Sequence, residues 1–393
     1  MKTCESCKLF GAYEALAGIK NSVLLLHSVT GCNFGTLTMG ISKHMDQISQ
    51  CCTVINENDV ILGGEASVEA ALQSVWELYH PEAIFVVSGC ISSMVGDDVR
   101  SAVLRAALPC PVLCIDAPGF AGGMKDGYEA ASRELIALME KPLHLKKEIP
   151  TVNFLGLGAD DVRLKEDLTA IQKLLDGSVS VSMCLSACSV EEIKKASYAD
   201  LNLVFGRGIT LAKKMKENFG IPYAELAYPY GITGEKDLED ILKELLGKSP
   251  VKSDRQQQAI EQLKTIYAYL QALYGSGAAV IGERARANGM KRFLEEELGI
   301  DVVCFGVREE LTDLEEFYGT MRKQEVAMLF GSSFEAQIAR EMEIPLIRFD
   351  YPVFDRISVT YRPYACTEGI PYLIEDILNE IMAEKRKEGA LYQ

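Results

Sequence analysis

Three cysteines stand at positions where a thiol could do chemistry. Cys32 follows an apolar run at residues 22–27, and Cys90 follows a second run at residues 83–88. Both runs predict buried strands of a parallel sheet, and ligands bind beyond the carboxyl ends of such strands. Cys7 directly precedes a helical stretch, which could bring it to the same edge. Because soft thiolates favour iron–sulfur clusters, zinc and copper(I), we regard these cysteines as candidate metal ligands, with ordinary buried cysteines as the alternative.

The chain has nine further cysteines, twelve in all, and disulfides are not expected in a long cytosolic chain. Cys4 and Cys7 form one Cys-x-x-Cys half of a zinc ribbon, but the sequence has no second half. Cys51 and Cys52 could be core residues or neighbours of the ligands, and Cys184 and Cys188 could form a second metal site or belong to the core. Four others are expected to be buried apolar residues: Cys110, Cys114, Cys304 and Cys366.

The elements that must position these residues alternate in type along the chain. Short apolar runs predict strands and amphipathic stretches between them predict helices, a pattern typical of α/β folds with mostly parallel sheets. A charged, proline-flanked stretch near residue 148 and a glycine-rich stretch near residue 275 indicate boundaries. We therefore predict three α/β domains, at residues 1–148, 149–275 and 276–393. The predicted strands are Ser22–His27, Ala83–Ser88, Val112–Asp116, Thr151–Leu155, Leu201–Phe205, Ala278–Ile281, Val302–Phe305 and Ala327–Phe330.

Composition excludes several classes of protein. The net charge is −16 and the pI is near 4.9, which argues against nonspecific nucleic-acid binding. Apolar residues make up 48% of the chain, but no run reaches the roughly 18–20 residues of a membrane helix. The beginning of the sequence lacks the apolar stretch of a signal peptide. We expect a cytoplasmic protein with no membrane partner.

In combination, several motifs resemble the nitrogenase component 1 family, and the resemblance covers nearly the whole chain. The likeness is closer to the β-type subunit, in the Cys7–Cys32 spacing and in Ile344–Arg356. It implies three Rossmann-like domains. The matching pieces are Cys7-Lys8-Leu9-Phe10-Gly11-Ala12, His27…Gly31-Cys32, Gly63-Gly64, Cys90…Gly96-Asp97-Asp98 and Pro118-Gly119-Phe120.

The resemblance implies a cofactor and two partners. Cys7, Cys32 and Cys90 would bind an electron-relay iron–sulfur cluster, 4Fe–4S or larger, at the interface with a similar subunit in a homodimer or heterotetramer. Three thiolates cannot complete a four-thiolate site, so a partner or another ligand in cis must finish it. No phosphate-binding Gly-x-x-x-x-Gly-Lys-Ser/Thr motif is present, so a separate ATP-binding iron–sulfur reductase would hydrolyse ATP.

The family pattern also suggests where that reductase docks. Leu62 matches an apolar docking position, and Asp97 and Asp98 lie near the docking face. The alternatives are a core leucine at a strand end and carboxylates that cap a helix.

The sequence defines the substrate and its binding residues less well than the candidate metal ligands. The cofactor-holding cysteine and histidine of the α-type subunit have no counterpart, since Gly206-Arg207-Gly208 lacks a cysteine and no histidine follows His144. The chain would then be a β-type partner, or resemble the tetrapyrrole-reducing branch with an organic substrate in an inter-domain cavity. Dinitrogen, a tetrapyrrole and a small sulfur compound stay open as substrates, and we name no catalytic residue.

Arginines after predicted strands suggest an anionic ligand. Arg207, Arg284 and Arg286 are predicted to face one pocket and bind carboxylates, with salt-bridged arginines as the alternative. Two other functions remain. The chain could be a non-catalytic scaffold for metal-cofactor assembly, although the scaffolds of this fold hold the cofactor with a cysteine that Gly206 lacks. It could also be a binding protein with no redox role.

Overall fold

The computed structural model describes residues 7–40, 50–142, 148–159, 161–250 and 254–387. Within these residues the strands form three four-stranded sheets, and neighbouring strands run parallel. Helices separate successive strands throughout the chain. The predicted α/β class with parallel sheets is therefore confirmed.

The first sheet has the strand order β2-β1-β3-β4. Its two central strands are buried along their whole length, because helices cover both faces. Their continuous apolar runs predicted their observed bounds. The elements of this region are α1 (Lys8–Leu16), β1 (Ser22–His27), α2 (Thr30–Gly40), β2 (Gln50–Cys52), α3 (Glu57–Leu62), α4 (Glu65–Tyr79), β3 (Ala83–Ser88), α5 (Cys90–Val95), α6 (Val99–Ala106), β4 (Val112–Asp116) and α7 (Met124–Glu134).

The second sheet has the order β6-β5-β7-β8 and the third has the order β10-β9-β11-β12. The elements of the second region are β5 (Thr151–Leu155), α8 (Leu164–Leu175), β6 (Ser180–Cys184), α9 (Val190–Lys195), β7 (Leu201–Val204), α10 (Ile209–Phe219), β8 (Tyr223–Glu225) and α11 (Gly231–Leu246). Those of the third are α12 (Arg255–Lys264), α13 (Tyr267–Leu273), β9 (Gly277–Gly282), α14 (Arg284–Arg292), β10 (Asp301–Val307), α15 (Leu314–Met321), β11 (Met328–Gly331), α16 (Ala336–Glu341), β12 (Leu346–Arg348) and α17 (Cys366–Lys387).

The chain groups into two compact units. The first comprises residues 1–160 and 181–224, and the second comprises residues 161–180 and 225–393. The first two sheets belong essentially to the first unit and the third sheet to the second unit. The three domain boundaries placed near residues 148 and 275 stay a prediction.

The apolar cores lie within the units, two in the first unit and one in the second. In the first unit one core lies on the α4–α6 face of the first sheet, and a larger core lies on its α1–α7 face and continues to the second sheet. In the second unit, the core packs on β9 and β11. Among the described helices none is both long and apolar enough to span a membrane.

Candidate metal centre

Three helix starts position the predicted ligands. Cys7 is the extended residue immediately before α1, Cys32 lies in the first turn of α2, and Cys90 is the first residue of α5. The free N–H groups and positive dipole end of a helix start favour a thiolate over a thiol. Each of the three cysteines is half-buried, so its sulfur is both sheltered and reachable.

Gly119, in the loop after β4, brings two of these thiols together. Its N–H donates a hydrogen bond to the Cys90 Sγ at 3.1 Å. A Cβ built on Gly119 would lie 2.8 Å from the Cys7 Sγ and 3.4 Å from the Cys90 Sγ. Both sulfurs therefore lie against the same stretch of backbone, and only a glycine leaves the space beside them open.

Cys32 belongs to the same neighbourhood. Burial raises the pKa of the Cys7 thiol, hydrogen bonds from the N–H groups of Leu9 and Phe10 lower it, and the nearby Cys90 and Cys32 raise it further. Cys7 and Cys32 also pack against the same core. The structure thus gathers the three cysteines on one side of the first sheet, at the carboxyl ends of its strands.

The thiols of Cys7, Cys32 and Cys90 are a donor set that an iron–sulfur cluster can use. Among the described residues, no three His, Cys, Asp or Glu side chains converge closely enough to hold one metal ion. An iron–sulfur cluster places several iron and sulfide atoms between its thiolates, so its ligands stand farther apart. The donor set, sulfur from cysteine, is the one that such clusters take.

A buried hydroxyl beside the cysteines also fits this group. Ser28 is 1% exposed, and its Oγ has no hydrogen-bond partner among the described residues. The Oγ lies 2.5 Å from where a Cβ on Gly89 would be, directly before Cys90. An unpaired buried hydroxyl costs about 1–3 kcal/mol, a cost that a hydrogen bond to a bound cluster would offset. Ser28 was not predicted, because an isolated serine in a loop carries no signal.

The three residues with a predicted docking role lie in different environments. Leu62, the last residue of α3, is 82% exposed. The Asp97 side chain is almost fully buried, and Asp98 caps α6 by accepting a hydrogen bond from the Ser101 N–H at 3.0 Å. Leu62 can thus contact a partner directly, whereas Asp97 acts inside the fold. The docking role of all three stays a prediction.

Arg207 has partners within the first unit. Its Nε donates to the Gly156 carbonyl oxygen at 3.2 Å, and its guanidinium lies 4.6 Å from the centre of the Tyr128 ring. The side chain is buried, since the residue is 7% exposed.

Arg284 and Arg286 have partners within the second unit. Arg284 is half-exposed and forms an ion pair with Glu310. Arg286 is 2% exposed, lies 3.4 Å from the Asp161 carboxylate and stacks on the Tyr228 ring at 4.1 Å. These internal partners favour the salt-bridged alternative for the two residues, and substrate binding by Arg207, Arg284 and Arg286 stays a prediction.

Most of the remaining cysteines lie in surroundings that are typical of structural residues. Cys184 and Cys188 are buried, and burial raises the pKa of Cys188 to about 12, so its thiol stays protonated. Cys304 and Cys366 are buried as expected, whereas Cys110 and Cys114 are half-buried at the edge of a core. Cys4 lies outside the described residues. Cys52 is different, because the short strand β2 brings it to the edge where Cys32 lies.

Comparisons with known proteins show the family and the fold of this chain. The family model described as nitrogenase component 1 type oxidoreductase matches residues 7–382. The nitrogenase iron-molybdenum cofactor biosynthesis protein NifE of Clostridium pasteurianum is 31% identical over 77% of this chain and 68% of its own length. The nitrogenase molybdenum-iron protein beta chain of the same organism is 22% identical over 98% and 93%. A solved structure titled nitrogenase Cp1 at pH 6.5 superposes with a TM-score of 0.83 at 20% identity, covering 99% of this chain and 94% of the other.

Proposed function

Because this chain belongs to the nitrogenase component 1 family, we propose that it is a subunit of a nitrogenase-like reductase. Cys7, Cys32 and Cys90 would hold an iron–sulfur cluster, 4Fe–4S or larger. When bound, such a cluster accepts and passes on single electrons. The chain would deliver those electrons to a substrate or cofactor held elsewhere in the complex.

The observation that carries this proposal is that the thiols of Cys7 and Cys90 both lie against Gly119. Two cysteines 83 residues apart in the chain, Cys7 and Cys90, place their sulfurs against one glycine. A packing role would not require the N–H of Gly119 to point at the Cys90 sulfur at 3.1 Å. Hydrogen bonds to cluster sulfurs are one of the means by which a protein sets a cluster's reduction potential.

Two partners follow from the proposal. A similar subunit would complete the oligomer, as a homodimer or a heterotetramer. A separate ATP-binding iron–sulfur reductase would supply the electrons and would dock near the exposed Leu62. The acidic chain, with a net charge of −16, suits a partner with a basic docking face.

The test is the iron content of cysteine variants purified without oxygen. Cys7→Ala, Cys32→Ala and Cys90→Ala should each lose most of the iron and the broad visible absorbance of the wild type. Cys304→Ala is the matched control, since Cys304 is a buried cysteine in the other unit. Full iron retention in all three variants would exclude the assignment.

A second candidate function is a non-catalytic scaffold for metal-cofactor assembly. The observation that favours it is the 31% identity to NifE, compared with 22% to the molybdenum-iron protein beta chain. A glycine at position 206, where the scaffolds would place a cofactor-binding cysteine, counts against it. Electron delivery decides between the two: a reductase consumes electrons from an ATP-driven donor when substrate is present, whereas a scaffold transfers a metal cofactor to an acceptor protein without doing so.

A further inference from the structure

The short strand β2 places one more cysteine at the edge of the first sheet. β2 pairs in parallel with β1, and Cys52 lies opposite Leu26, one residue before the end of β1. Beyond the strand the pairing continues, with the Ile55 N–H donating to the Ser28 carbonyl oxygen at 3.0 Å. Cys52 therefore lies at the carboxyl end of its strand, on the edge from which Cys32 and Cys90 also emerge.

The two adjacent cysteines of β2 belong to opposite faces of the sheet. Successive side chains of a strand alternate in direction. Cys51 packs against the core on the α4–α6 face, where its thiol interacts with Tyr79. Cys52 packs against the other core, together with Cys7 and Cys32. Cys52 thus lies on the face of the sheet against which Cys7 and Cys32 pack, and Cys51 lies on the other face.

Hydrogen bonds tie the Cys52 sulfur to the loop that carries Cys32. The Val54 N–H donates to the Cys52 Sγ at 3.4 Å, and the Cys52 thiol donates to the Ser28 carbonyl oxygen at 3.4 Å. Burial raises the pKa of Cys52, the Val54 hydrogen bond lowers it, and the neighbouring Cys32 raises it. Cys52 is half-buried rather than enclosed.

We propose that Cys52 is a fourth thiolate ligand of this chain's cluster site, supplied in cis beside Cys7, Cys32 and Cys90. The inference rests on the proposed function and adds that one chain provides a complete set of four thiolates. Ligation forms one Fe–S bond and breaks the S–H bond of Cys52, whose proton passes to water. No electrons are exchanged. The hydrogen bond to the Ser28 carbonyl is given up, and the hydrogen bond from Val54 is kept.

The test compares Cys52→Ala and Cys52→Ser with Cys51→Ala. Cys51 is the matched control, since it is the adjacent residue in the same strand and faces the other core. Each full-length variant is reconstituted with ferrous iron and sulfide without oxygen. Iron and sulfide per chain are then measured, together with the electron paramagnetic resonance spectrum of the dithionite-reduced protein.

The proposal predicts different results for variants of Cys52 and of Cys51. Cys52→Ala should lose about half or more of its iron, since a four-thiolate cluster that lacks one ligand is labile. Cys52→Ser should shift the resonance spectrum, because a hard oxygen ligand replaces a soft sulfur. Cys51→Ala should match the wild type in both measurements.

Each other outcome overturns the proposal in a distinct way. Wild-type iron and an unchanged spectrum in both Cys52 variants overturn it alone, and the proposed function stands if Cys7→Ala still loses iron. If the wild type takes up no cluster, this proposal and the proposed function fail together. If circular dichroism shows that Cys52→Ala does not fold, the near-isosteric Cys52→Ser decides, and an unchanged spectrum in that variant overturns the proposal.

Discussion

The imidazole of His27 and the carboxylate of Asp97 form a buried hydrogen-bonded pair. The Nε2 and Oδ2 atoms are 2.9 Å apart, and the side chains are 0% and 2% exposed. The other oxygen of Asp97 accepts a hydrogen bond from the Gly64 N–H at 2.8 Å, and the Nδ1 of His27 lies 2.9 Å from the Thr53 hydroxyl. One carboxylate thus joins the end of β1, the start of α4 and the turn after α5.

Replacement of Asp97 should destabilise the fold. Asp97→Ala leaves the His27 ring and the Gly64 N–H without their buried partner, which costs about 3 kcal/mol. Urea unfolding of the cluster-free protein measures the free energy. Asp98→Ala is the control, since its solvent-exposed carboxylate caps α6 and its removal should cost clearly less. Equal losses in the two variants would contradict the structural role of the pair.

A methyl group at Gly119 should disturb the metal centre without disturbing the fold. In Gly119→Ala the new Cβ would stand 2.8 Å from the Cys7 Sγ, closer than a sulfur and a carbon can approach. The variant should bind markedly less iron. Gly31→Ala is the control, because it adds a methyl beside Cys32 with no atom within 4 Å of the added Cβ. Equal iron in Gly119→Ala and the wild type would show that the two thiols need no open space between them.

The chain should associate in solution. Phe34, Met94 and Phe120 lie on the helices and the loop that carry the candidate site, and they are 68%, 72% and 61% exposed. Large apolar side chains grouped around a functional site are typical of a covered surface. Sedimentation of the anaerobic protein should show a dimer or a larger species. A monomer with a full cluster would contradict the expected subunit interface.

Leu62, at the exposed end of α3, should contribute to the binding of the reductase partner. If Leu62 docks the partner, Leu62→Asp should weaken association at least about tenfold, because a charge at the centre of an apolar contact is costly. Iron content should not change. Leu104→Asp is the matched control, since Leu104 on α6 is 78% exposed and Leu62 is 82% exposed. Titration with the reductase measures the association. Unchanged association of Leu62→Asp would place the docking face elsewhere, and equal weakening in both variants would show that the effect is not specific to Leu62.

A buried carboxyl in the second unit should make stability depend on pH. Burial raises the pKa of Asp167 from 3.8 to about 6, although the charge of Arg286 lowers it. The folded state therefore binds the proton more tightly than the unfolded state, so the contribution to stability is full below pH 4 and is lost as the pH rises through about 6. In Asp167→Asn this contribution is absent. The unfolding free energy of the variant minus that of the wild type should rise by about 2 kcal/mol between pH 4 and 7.

Urea unfolding at a series of pH values measures that difference. The amide of the Asp167→Asn variant would keep an oxygen for the N–H groups of Tyr364 and Ala365. Its NH2 group would donate to the Tyr228 hydroxyl, which donates to Asp167 in the wild type. A difference that does not change with pH would mean that folding does not raise the pKa of Asp167.

The sequence alone predicted the parts of the fold that long apolar runs dictate. β1 and β3 were predicted with their observed bounds, since six consecutive buried residues leave a clear signal. β2 and β8 were not predicted, because three half-buried or exposed residues such as Gln50-Cys51-Cys52 show no period. That omission is also why the sequence could not separate the two cysteines of β2.

The sequence was least informative where a polar residue has a distant partner. Asp97 and His27 are separated by 70 residues, and Arg286 and Asp161 by 125. Spacing can identify helix caps, because the capped N–H groups are a few residues away. Capping was the alternative given for both Asp97 and Asp98, and it is observed for Asp98. A partner in another element depends on the packing of the whole unit, and no local pattern reveals it.

The adjacency of Cys51 and Cys52 has a further consequence for the register of β2 at the edge of the first sheet. Among the described residues, β2 is an edge strand that pairs with β1 over three residues. A slip of one residue would turn every side chain of β2 to the opposite face. Because the two neighbouring positions carry the same residue, such a slip in one direction would place Cys51 where Cys52 now lies. If Cys52 is a ligand as proposed, a slipped strand would still present a cysteine on that face of the sheet.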